Sequence, residues 1–126
     1  MNTWPDLTDA SGLVILHAPN PMHDNGGAQR AAQMARAFMQ QNWAVVFSSG
    51  GTVTESTDLQ LQLDHPRLVH WATNAQNWRP PNLPTELPDK RLVITQVASR
   101  RWLRALRRLQ HNGFKLAYDL IDDWTV

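Results

Sequence analysis

The sequence predicts an α/β protein, a Rossmann-like three-layer sandwich built on a mainly parallel sheet of about five strands. Three observations predict it. Short runs that are apolar throughout recur along the chain, the pattern of strands buried on both faces. Segments with helical spacing lie between them, so successive strands can run parallel through helical crossovers. Cysteine is absent and no apolar stretch approaches bilayer-spanning length, which sets aside a disulfide scaffold and a membrane span.

The elements follow in order. "LVILHA" (13–18) is the first strand, closed by "PNP". From Ala28 the period changes: Ala28, Ala31, Ala32, Ala35, Phe38 and Met39 share one helical stripe, with Gln29, Arg30, Gln33, Arg36 and Gln40 off it. Asn42 supplies a stop, and "WAVVFSS" (43–49) is the second strand. Gly50 and Gly51 open a polar loop. The alternating "DLQLQLD" (58–64) suits a short half-exposed strand or irregular structure, and "RLVHWA" (67–72) is the third strand. Residues 73–90 hold four prolines and little periodicity, which reads as a long loop. "RLVITQV" (91–97) is the fourth strand. Ser99 then caps a helix whose apolar stripe is Trp102, Leu103, Leu106 and Leu109, and Gly113 ends it. "KLAYDLI" (115–121) is the fifth strand, followed by "DDWTV".

A chain of 126 residues is the size of one domain, and 42% hydrophobic with 18% charged residues suits a globular protein. The net charge of +1 gives no overall field toward nucleic acid or membrane. The start, "MNTWPDLTDASG", has neither the basic opening nor the apolar core of a secretory signal, so a cytoplasmic location is expected. Six tryptophans are many for this length; those read in loops, Trp4, Trp78 and Trp124, are either buried packing or an exposed docking surface.

"HDNGGAQR" (23–30) is the least ordinary stretch. It joins the carboxyl end of the first strand to the first helix, where ligands bind in open parallel sheets. A helix start offers unpaired N–H groups and a partial positive charge, and glycine lets a ligand come close to the backbone. The arrangement suits an anion, most naturally phosphate. It is neither the dinucleotide fingerprint nor a P-loop, since Gly26 and Gly27 are adjacent and no G-K-[ST] follows. The ordinary alternative is a tight turn with Asp24 or Asn25 as the helix cap.

Other groupings have two readings each. In "YDLIDDW", Asp119, Asp122 and Asp123 could form an acceptor-side wall or supply a base; as a plain polar loop, Asp122 or Asp123 would cap a following helix. His23 in the loop is a candidate polar contact, whereas His17 and His70 within strands read as satisfied core histidines. No H-x-x-x-H or similar spacing supports a metal, and no G-x-S-x-G elbow supports a serine nucleophile. The helix "SRRWLRALRRLQHNG" sets Arg100, Arg101, Arg104, Arg107 and Arg108 largely opposite its leucines. That is ordinarily a solvated face; functionally it would meet anionic lipid or another acidic partner, with Trp102 near the rim. Nucleic acid is not expected, because exposed aromatics are not interleaved with the arginines.

Taken together, the buried first strand, the "GGAQR" helix start, the helix ending before "WAVVF" and the late "YDLIDDW" resemble the N-terminal domain of GT-B-fold glycosyltransferases. The group is the one containing bacterial enzymes that build surface polysaccharides. The resemblance spans about 13–124 and rests on the order and spacing of several short motifs. It implies two Rossmann-like domains facing across a cleft. The N-terminal domain shapes the acceptor side, while the C-terminal domain holds most of the nucleotide-sugar. By this match Gly26 and Gly27 contact the donor diphosphate through backbone N–H groups, and Arg30 takes the basic position of the GG-x-x-R pattern. His23, Asp24, Asp122 and Asp123 are acceptor-side candidates. The nucleotide-sugar is then a co-substrate, with no separate cofactor or metal expected, and the acceptor is a saccharide or lipid-linked. Arg100, Arg104, Arg107 and Arg108 would give peripheral contact with the inner face of an anionic membrane.

The sequence departs from that family by stopping at Val126, where the family's chain enters its next helix. Residues 1–126 are therefore expected to be a single incomplete domain lacking the nucleotide-sugar-binding partner domain, and to be inactive alone. Two rivals stand beside it: a non-catalytic Rossmann-like binding module that presents the glycine loop or the arginine helix to a partner, and a flavodoxin-like small-ligand domain that uses the same strand-end crevice. A fifth strand without a covering helix exposes apolar surface, so the chain expressed alone is expected to dimerise or aggregate. Light scattering checks this, and a monodisperse monomer would count against it.

Overall fold

The computed structural model describes residues 3–18, 29–49, 65–72, 80–96 and 100–119. Within them lie β1 (Gly12–Ala18), α1 (Gln29–Gln40), β2 (Trp43–Ser49), β3 (Leu68–Ala72), β4 (Arg91–Thr95), α2 (Arg100–His111) and β5 (Lys115–Tyr118). The strands form one five-stranded sheet in the order β3-β2-β1-β4-β5, and every pair is parallel. This is the α/β, Rossmann-like class that the apolar runs predict.

Chain direction explains the layers. The β1-to-β2 crossover steps one way across the sheet and the β4-to-β5 crossover steps the other. Right-handed crossovers in opposite directions put their helices on opposite faces. Val14, Leu16, Ala18, Val45 and Phe47 accordingly pack under Ala31, Ala32 and Ala35 of α1. Leu13, Ile15, Ala44, Val46 and Val93 pack under Trp102, Ala105, Leu106 and Leu109 of α2. The alanines of α1 let its backbone lie close to the sheet.

The α2 side has a second cover. The N-terminal segment brings Trp4 and Leu7, and residues 80–90 bring Leu83 and Leu87. Trp4 meets the buried Trp71 edge-on, with ring centroids 4.9 Å apart. Trp71 Nε1 donates to the Thr3 carbonyl at 2.6 Å, and Trp4 Nε1 to the Asn82 carbonyl at 2.8 Å. Trp4 is thus a packing residue, and Trp78 and Trp124 lie outside the described residues, as does 58–64.

Three details differ from the sequence expectation. The fourth strand, expected over 91–97, ends at Thr95, with Gln96 beyond it. The fifth strand ends at Tyr118 and is exposed along its whole length, because the topology makes it an edge strand. Leu103, expected in the apolar stripe of α2, is 46% exposed, whereas Ala105 is buried. The buried arc of α2 is centred on Trp102 and Leu109, and at 100° per residue Ala105 and Leu106 flank it while Leu103 falls outside. No described helix is long and apolar enough to cross a membrane.

Both helices stop on a residue in the left-handed region. Asn42, at φ 65°, ends α1, and its amide reaches the Asp9 carbonyl at 2.8 Å. Gly113, at φ 88°, ends α2: its N–H donates to the Gln110 carbonyl while the Phe114 N–H donates to the Leu109 carbonyl. This paired arrangement satisfies carbonyls the helix leaves over, and Phe114 and Leu109 add an apolar contact. Arg91 Nη1 donates to the Asn112 carbonyl from the start of β4 and lies where a side chain at position 113 would need room. Gly113→Ala is therefore expected to cost about 1–2 kcal/mol from backbone conformation alone. Urea denaturation checks it, and an unchanged midpoint would contradict this account of the helix end.

Candidate functional site

Ten residues at most separate the ends of β1 and α1, and α1 returns to the start of β2 through Gln41 and Asn42. The start of α1 therefore lies at the carboxyl edge of the sheet. Between β1 and β4 the chain reverses its direction of travel across the sheet, and open α/β sheets bind ligands in the crevice at such a point. Polar residues gather there, and they divide by face.

On the α1 side the first turn of α1 carries Arg30. Its Nε donates to Asp119 Oδ2 at 2.9 Å, just past the end of β5. Gln96, just past the end of β4, donates from Nε2 to the same oxygen at 3.0 Å. Backbone bonds fix both partners: Gln96 N–H to the His17 carbonyl and Asp119 N–H to the Thr95 carbonyl, each 2.9 Å. Asp119 is 13% exposed and Arg30 60%, so the carboxylate is the anchored member and the guanidinium the accessible one. A carboxylate only accepts hydrogen bonds, so the Gln96 nitrogen must face it. Gln96 Oε1 then points elsewhere, buried and without a partner among the described residues.

On the α2 side His17 Nδ1 and Ser48 Oγ share a hydrogen bond at 2.9 Å, with either able to supply the proton. The imidazole stacks on Trp102 at 3.8 Å, and Trp102 Nε1 donates to Thr95 Oγ1 at 2.9 Å. Burial pushes the His17 pKa down to about 4. A buried ring stacked on an indole and hydrogen-bonded to Ser48 is a satisfied core histidine. His70 is half-buried on β3, beside Phe47.

Among the other sequence candidates, His23, Asp24, Gly26, Gly27, Asp122 and Asp123 lie outside the described residues. Arg100, Arg104, Arg107 and Arg108 are exposed on α2. Trp102 does not border that surface: at 2% exposure it belongs to the core, because its position on the helix points at His17 and the sheet. Among the described residues no three His, Asp or Glu side chains come together to hold a metal. Sequence reasoning missed Gln96, Ser48 and Thr95. Their signal is the polar ending of otherwise apolar strands, "FSS" and "ITQ". A cavity of about 320 Å³ opens at the opposite edge, beside Trp43, Lys90, Arg91 and Lys115. Arg91 there is committed to the end of α2.

Comparison with protein-family models, with curated proteins and with solved structures finds no match.

The buried histidine sets a pH dependence. Unfolded, His17 titrates at its ordinary 6.5; folded, at about 4. Between those values the unfolded chain binds more protons, so stability falls as pH drops through the window and is unaffected by His17 above it. The full loss is about 3 kcal/mol. His17→Gln is expected to flatten the slope of unfolding free energy between pH 6.5 and 4. An unaltered slope in denaturation series would show that His17 is not its source.

Proposed function

We propose that this chain is the N-terminal, acceptor-side domain of a GT-B-like glycosyltransferase and that its carboxyl-edge crevice receives the diphosphate of a nucleotide-sugar. The observation that carries the reading is Arg30. It stands in the first turn of α1, the position given to the basic residue of GG-x-x-R, and Asp119 holds it by one nitrogen. Its Nη groups meet no partner among the described residues. A guanidinium oriented in advance, beside helix-start N–H groups, suits a diphosphate.

The chemistry then follows from charge. Glycosyl transfer breaks the bond between the anomeric carbon and the diphosphate oxygen, and negative charge grows on the departing diphosphate. Donors fixed in place before the reaction stabilise that charge without reorganising. Gln96 Oε1 is a buried acceptor without a partner among the described residues, and in this reading a sugar hydroxyl donates to it. Gly26, Gly27, His23 and Asp24 belong to the connection between β1 and α1 and complete the donor and acceptor contacts in this reading, with Asp122 and Asp123 following β5. Transfer itself requires the donor-holding domain that the family resemblance implies.

A non-catalytic Rossmann-like module is the second reading. Asp119 favours it, since a carboxylate on Arg30 offsets the charge an anion would meet.

Titration of the chain with uridine diphosphate and with inorganic pyrophosphate, followed by amide NMR shifts, tests the proposal. Weak binding is expected for both, with Arg30→Gln lowering the affinity about tenfold, the loss of a charge-assisted bond. Binding that ignores Arg30→Gln would remove the crevice as a diphosphate site. Saturable binding of flavin mononucleotide, with no response to pyrophosphate, would overturn the glycosyltransferase reading.

A further inference from the structure

The outer face of α2 breaks the rules that stabilise helices. Five of the chain's twelve Lys and Arg residues fall within its twelve positions, with no acidic residue among them, so the rest of the chain is net acidic. Arg100 and Arg101 begin the helix, where a cation opposes the helix dipole. Arg100, Arg104 and Arg108 are four apart, and Arg104 and Arg107 three apart, the spacings at which like charges repel. Among the described residues no acidic side chain pairs with Arg100, Arg104, Arg107 or Arg108. Arginines at the helix start and like charges at these spacings cost folding stability, although Arg108 in the last turn suits the helix dipole; none is needed to cover the sheet, which Trp102, Ala105, Leu106 and Leu109 already do. Positions that oppose local stability tend to be functional sites, and an exposed row of like charges is relieved by an anionic partner.

The neighbours of the stripe identify the partner's chemistry. The large hydrophobic side chains exposed among the described residues are Leu103, Leu116 and Tyr118. Leu103 is on α2. Leu116 and Tyr118 are in register with Val93 and Thr95, whose side chains face α2, so they stand on the same side of the sheet. Arginines beside exposed leucine and tyrosine match a lipid interface, where headgroups take the cations and the outer acyl region takes the apolar side chains. A nucleic-acid backbone would use the arginines and leave Leu103 and Leu116 wet.

We propose that the α2 face, with Leu116 and Tyr118 of β5 beside it, docks on an anionic phospholipid surface. The contact is peripheral: the apolar stripe of α2 is spent on the sheet, so charge dominates and the three hydrophobic side chains add shallow insertion. This proposal stands apart from the glycosyl-transfer reading, since it uses neither Arg30 nor the crevice.

The test is co-sedimentation of the whole chain with vesicles of phosphatidylcholine alone, or with about a third phosphatidylglycerol, against a vesicle-free blank. Binding to the anionic vesicles only is expected, with release at high salt. Arg104→Gln with Arg107→Gln is expected to lower partitioning about 25-fold, at about fivefold per arginine. Leu103→Gln with Tyr118→Ser, which leaves every charge in place, is expected to weaken it severalfold. Circular dichroism confirms that each variant keeps its helices, and the Leu103/Tyr118 pair, lying outside the core, serves if the arginine pair misfolds. Equal binding to both vesicle types would overturn the proposal. So would indifference to the Leu103/Tyr118 change, or duplex DNA captured more tightly than the anionic vesicles.

Discussion

The structure depends on the burial of β1. Leu13 to Leu16 are at most 1% exposed, with helices above and below and strands on either side. A backbone so enclosed has no water for its N–H and C=O groups, so its neighbours must supply every partner. β2 and β4 do so on their two edges. Once both edges of β1 are taken by parallel strands, each needs a long crossover, and the crossovers leave in opposite directions. The two-sided sandwich, its two separate cores and the crevice at the point of reversal all follow from one strand with no exposed face.

The same constraint explains where the polar chemistry lies. Inside the sheet a polar side chain must find its partner on the adjoining strand or the covering helix. His17 finds Ser48 at its own register position on β2, and Trp102 finds Thr95. These pairs fill the last buried layer, so they close the sheet on the α2 side. One residue further along, Gln96 donates to Asp119 on the α1 side, and Arg30 donates to the same carboxylate oxygen. Of the polar groups on the α1 side, the Arg30 guanidinium is the exposed one, at 60%, while Asp119 is 13% exposed.

How much of this was legible depends on the range of the interaction. β1, β2 and β4 were readable because burial on both faces leaves a continuous apolar run, and the ends of α1 and α2 because Asn42 and Gly113 are local signals. β5 was readable as a strand but not as an edge, since composition records apolarity and not position in the sheet. Leu103 was misplaced because a four-residue stripe does not fix the centre of the buried arc. The crevice was legible only in part. Arg30 stood out through the "GGAQR" pattern, but its partner Asp119 is 89 positions away and Gln96 lies 23 from Asp119. No spacing rule connects residues that meet because two different crossovers end at one edge.

Both helices also begin at that edge, for α1 returns to the amino end of β2 and α2 to the amino end of β5 through short turns. Their positive dipole ends therefore lie on the same edge of the sheet, and neither has an acidic residue in its first turn. Each has arginine there instead, Arg30 in α1 and Arg100 at the head of α2. The difference between them lies in what answers the charge. Arg30 has one anchored carboxylate, which fixes its direction and commits one nitrogen; Arg100 has no acidic partner among the described residues. An oriented, partly neutralised cation suits a ligand of defined shape, whereas an unanswered row of cations suits an extended anionic surface. Stability alone would favour acids at both helix starts, so the burial of two hydrophobic cores must offset the repulsion that this edge retains.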